Sequence, residues 1–70
     1  MLIKVKQGCS YRGDRKVIYD AALAFHGKSV EEYEAHYAKN PMKFVGRGWK
    51  PKEALMFFAR RERVHFVEKL

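Results

Sequence analysis

The chain has 70 residues, and its 15 lysines and arginines outnumber eight aspartates and glutamates for a net charge of +7. That length holds one domain at most, expected over 1–70, and a single cysteine, Cys9, forbids an internal disulfide. A 47% hydrophobic and 14% aromatic content argues against disorder. No apolar run approaches the roughly 20 residues that cross a bilayer. The start, Met1-Leu2-Ile3-Lys4, lacks signal-peptide architecture, so a cytoplasmic location is expected.

Leu2-Ile3-Lys4-Val5-Lys6 nearly alternates apolar and cationic residues, which predicts a short strand. Gly8 to Gly13 reads as a turn. Asp14 is expected to cap a first helix near 15–26, with Val17, Ile18, Ala21, Ala22 and Phe25 on its apolar face and Gly27 just past its end. Ser29 followed by Glu32 is a capping-box pattern. It starts a second helix near 29–39, with Val30, Tyr33 and Tyr37 on one face and Pro41 beyond its end. Pro51 suits the first turn of a third helix near 51–62, whose apolar face is Leu55, Phe58 and Ala59. Glu62 interrupts that stripe. Residues 63–68 then alternate as a strand that can pair with 2–6 and gain stability by packing on the helices. The expected fold is therefore mainly α: a small three-helix domain whose short N-terminal strand pairs with a C-terminal one.

Metal binding fails on spacing. His26, His36 and His65 have no partner at i+3 or i+4, and Cys9 stands apart. Neither a nucleophilic triad nor a paired-carboxylate site is visible, so no enzyme activity, metal or cofactor is expected. Arg12-Gly13-Asp14 reads as a turn and a cap. No helix combines a cationic face with a strongly apolar one, so a membrane partner is not expected.

The charge is unevenly spread. Glu31, Glu32 and Glu34 face only Lys39 in the 29–40 stretch, between two basic flanks. A chain this basic points to a polyanion, nucleic acid first. Lys39, Lys43, Arg47, Lys50 and Lys52 surround a glycine-containing loop that also holds Phe44 and Trp49, and Arg60, Arg61 and Arg63 crowd the end of the third helix. These are the candidate nucleic-acid-binding residues, since phosphates are held by such cations. Trp49 is expected in the core.

The stretch Arg47-Gly48-Trp49-Lys50-Pro51-Lys52-Glu53-Ala54-Leu55 resembles one in small helix-turn-helix DNA-binding modules that accompany phage homing endonucleases. The likeness covers nine residues. It implies double-stranded DNA binding, with helix 29–40 in the place of the recognition helix. Electrostatics instead favour contact through the cationic loop and the arginine cluster, because Glu31, Glu32 and Glu34 are repelled by phosphate. The function expected first is non-catalytic DNA binding by a regulatory or accessory protein. The competing expectation is a small phage-type effector that docks on a host or partner protein through Glu31, Glu32, Tyr33, His36 and Tyr37. Tyr11, Tyr19, Tyr33, Tyr37, Phe57 and Phe58 look like more aromatics than one small core hides, and a homodimer would also cover them.

Overall fold

A computed structural model describes residues 1–40 and 50–70. The elements run β1 (Leu2–Val5), α1 (Asp14–Ala24), α2 (Val30–Lys39), α3 (Pro51–Ala59) and β2 (Val64–Val67). The two strands form an antiparallel pair in the register Leu2↔Val67, Ile3↔Phe66, Lys4↔His65 and Val5↔Val64. The expected three helices and the pairing of the chain's two ends are both present. The expectations for Lys43, Arg47, Phe44 and Trp49 fall on residues 41–49, outside the described residues.

Strand alternation sorts the sheet into two faces. Ile3, Val5 and Val64 are buried against the helices, while Lys4, Lys6 and His65 are exposed. β1 is also bonded along its other edge: Ile3 N–H donates to the Lys28 carbonyl at 2.8 Å, Gly27 N–H to the Ile3 carbonyl at 2.8 Å, and Val30 N–H to the Met1 carbonyl at 3.0 Å. Val5 N–H donates to His26 Nδ1 at 2.9 Å. A two-stranded pair alone is marginal in water. Here the helical core and the segment between α1 and α2 hold it from two sides.

The helix ends follow local chemistry, with two corrections. At α1 the cap is Gly13, not Asp14. Gly13 takes φ 63°, a conformation open to glycine, and Asp14 lies in the first turn with no side-chain cap bond. α3 ends at Ala59 rather than 62 because the chain turns sharply there. Arg63 N–H donates to the Phe58 carbonyl at 2.9 Å and Glu62 N–H to the Ala59 carbonyl at 3.1 Å. That is a Schellman turn with Glu62 in the left-handed position at φ 59°. The residue that breaks the apolar stripe is the one that stops the helix. At α2 the serine half of the expected capping box is present: Ser29 Oγ accepts the Glu32 N–H at 3.0 Å.

The core joins Ile3, Val5, Ile18, Tyr19, Ala22, Tyr33, Ala54, Leu55, Phe58 and Val64. The aromatic surplus is corrected by this packing. Tyr19, Tyr33 and Phe58 are buried, and Tyr11, Tyr37 and Phe57 pack partly buried against them. Among the described residues the large exposed apolar side chains are Met1, Val17 and Leu70, none of them aromatic. Edge-to-face geometry explains how so many rings fit. Tyr11, Tyr19 and Phe58 meet with centroids 5.1–5.7 Å apart, and Phe25, Tyr33 and Tyr37 form a second group at 4.9–5.6 Å.

Candidate nucleic-acid interface

α3 turns Ala54, Leu55 and Phe58 inward, so the helical repeat leaves Lys52, Glu53, Met56, Phe57 and Arg60 along its other side. With Lys50 they line an open groove of about 570 Å³. Met56 and Phe57, half-buried, give it an apolar floor, and exposed Lys50, Lys52 and Arg60 form a cationic rim with Glu53 the only carboxylate. Glu53 is held by the helix start, its Oε2 accepting the Lys50 N–H at 3.3 Å.

Phe57 organises two further arginines. Arg61 Cζ stands 3.8 Å from the ring centroid and Arg15 Cζ, on α1, stands 5.8 Å away. Arg61 Nη1 also donates to the Phe57 carbonyl at 3.0 Å. Cation–π contact fixes the guanidinium stems while leaving their charge toward solvent. The fold thus adds Arg15, from another helix, to the predicted set. Lys50, Lys52, Arg60 and Arg61 gather at α3. Lys39 is exposed at the far end of α2 and does not line the groove. Arg63 leaves with β2, its Nη1 donating to the Arg61 carbonyl at 3.3 Å.

The cations are little neutralised from within. Among the described residues the single ion pair is Lys16 with Asp20, at 2.8 Å on exposed α1. Exposed pairs of that kind contribute little. No group of histidine, cysteine and carboxylate side chains among the described residues could hold a metal. No described helix is long and apolar enough to cross a membrane.

On α2, Glu31, Glu32 and His36 are exposed, Tyr37 is half-buried and Tyr33 is completely buried. Tyr33 therefore belongs to the core and presents nothing to a partner. His36 stacks on Phe25 and Tyr37 at 5.2 and 4.7 Å, which ties it to the second aromatic group. Among the described residues the Tyr33 hydroxyl has no hydrogen-bond partner, and burial, assisted by neighbouring Tyr37, pushes its phenol well above its ordinary range.

Sequence reading also missed a cluster on the sheet. Lys4 lies opposite His65, and Lys6 N–H donates to the Arg63 carbonyl at 2.8 Å, so two lysines from one end of the chain meet Arg63 and His65 from the other. The lysine alternation in 2–6 was the available signal, but only the pairing of the termini gives it neighbours.

The chain matches no known protein family, no curated protein and no solved structure.

Proposed function

We propose that the chain is a non-catalytic nucleic-acid-binding protein that engages double-stranded DNA as a regulatory or accessory factor. The observation that carries this reading is the start of α3. Lys50 is its N-cap and Lys52 lies in its first turn. Cations at that end oppose the helix macrodipole, typically at about 0.3–1 kcal/mol each at low ionic strength. α2 follows the opposite, favourable rule with Glu31 and Glu32. A locally unfavourable choice beside a groove is a mark of function rather than of folding. A phosphate oxygen changes its sign, because the positive end of the helix dipole and the lysines then attract the same anion.

In this mechanism Lys50, Lys52, Arg60 and Arg61 each neutralise one phosphate and release its counterions. Such contacts position a protein on the duplex without reading sequence. Anisotropy of a labelled duplex across a salt series tests the idea. Four contacts predict a slope of log K on log salt of about −3.6. No binding at low salt overturns it.

The second reading, an effector of a host or partner protein, is favoured by the exposed Glu31 and Glu32, which have no cationic partner among the described residues. Charge reversal at Lys50 and Lys52 separates the two readings, since it abolishes DNA binding and leaves docking through α2 intact.

A further inference from the structure

The outward face of the β1–β2 ribbon has an arrangement that folding alone disfavours. Lys4 lies opposite His65 in the antiparallel register, and just past the strand ends Lys6 N–H donates to the Arg63 carbonyl. Cationic residues facing each other across strands weaken a pair. No carboxylate among the described residues makes an ion pair with Lys4, Lys6, His65 or Arg63. Lys4, Lys6 and His65 are exposed, whereas Ile3, Val5 and Val64 on the other face bury the ribbon into the core. The cationic face is thus held rigidly by a face that has no electrostatic role. Arg63 shares a single Schellman turn with Arg60, Arg61 and exposed Glu62, which links this face along the chain to α3.

We propose that this sheet face is a second phosphate-contact surface, with Lys4, Lys6 and Arg63 gripping the backbone of duplex DNA. The inference rests on the DNA reading and deepens it. Charge complementarity selects the occupant. Three cationic side chains and one histidine on one side of the ribbon present the charge opposite to that of duplex phosphates. A bilayer would need apolar residues to insert, and the apolar residues on this face, Leu2 and Val67, are half-buried and paired with each other. A second copy docked ribbon to ribbon would bring like charge against like.

The test is Lys4→Gln with Lys6→Gln in the full chain, measured by duplex anisotropy across salt beside wild type and a Lys50→Gln, Lys52→Gln variant. Loss of two contacts should shallow the salt slope by about 1.8 and weaken binding at least about tenfold near 0.1 M salt. The midpoint of thermal unfolding should stay level or rise, because a like-charge facing has been relieved. If wild type binds and the α3 variant is weakened while the sheet variant keeps the wild-type slope, the inference fails and the DNA reading stands. If wild type does not bind duplex DNA, both fall. Phosphatidylserine vesicles are the remaining arm. Tighter binding to vesicles than to DNA, lost with the same two lysines, makes the surface a membrane contact and overturns the proposal.

Discussion

α2 and α3 pack on each other and both contribute to one core, yet their outer sides are opposites. α2 starts with a serine cap and two glutamates, the arrangement that hydrogen bonding and the macrodipole favour. α3 starts with a lysine that offers no side-chain oxygen to its first turn and places a second lysine inside it, with Glu53 as partial compensation. The inner sides differ less: Tyr33 anchors α2, and Ala54, Leu55 and Phe58 anchor α3. Stability therefore explains α2 almost entirely. It explains the inside of α3 and leaves the outside unaccounted for, which is why the functional reading rests there.

Four changes break or sharpen this contrast. The largest effect is expected inside α3. Phe58→Ala removes the ring that Tyr11, Tyr19 and Phe57 pack on, and should cost about 3–5 kcal/mol in denaturant unfolding. In a domain this small that loss leaves little folded protein. Next comes the outside of α3. Lys50→Glu, Lys52→Glu and Arg60→Glu together should weaken duplex binding about 100-fold or more near 0.1 M salt, while Glu31→Gln with Glu32→Gln leaves it equal or tighter. A loss from the Glu31, Glu32 variant as large as that from the α3 variant would mean that the duplex contacts α2 and that the groove has no special part.

A smaller pair compares the two helix starts. Ser29→Ala should cost about 1 kcal/mol, whereas Lys50→Ser should gain stability and lose DNA affinity. A loss of stability in Lys50→Ser would remove the argument that Lys50 is kept against folding. The smallest effect concerns Tyr33, whose buried hydroxyl has no partner among the described residues. Tyr33→Phe should be neutral or stabilise by up to about 1 kcal/mol. The same residue sets a pH dependence. Burial raises the Tyr33 phenol above its ordinary value of 10.0, and burial also raises Tyr19 and Tyr37. The folded state thus holds these groups protonated. Stability is fully present below about pH 10 and is lost as pH rises toward the folded-state values. Tyr33→Phe should flatten that alkaline decline in unfolding midpoints measured from pH 9 upward.

Much of the architecture was legible because helix boundaries are local. Ser29 with Glu32, and Pro51 after Lys50, mark helix starts within a few residues of chain. The ends of the third helix and of the first cap were misplaced by small amounts, since Glu62 in a left-handed turn and Gly13 as a cap depend on backbone angles that composition does not display. The candidate site was legible in part. Lys50, Lys52, Arg60 and Arg61 were found because they flank one helix in sequence. Arg15 was not joined to them, because its place beside Phe57 requires α1 to pack on α3.

The sequence by itself determined the net charge, the three helices and the alternating strands, each governed by neighbours within about four residues of chain. Tertiary structure decided which aromatics are core, putting Tyr19 and Tyr33 inside where their spacing alone left them free to face out. It also decided that Lys4 and Lys6 meet His65 and Arg63. The physical reason is that burial and like-charge proximity are properties of pairs far apart in sequence. They come into being only when the two ends of the chain close into one sheet.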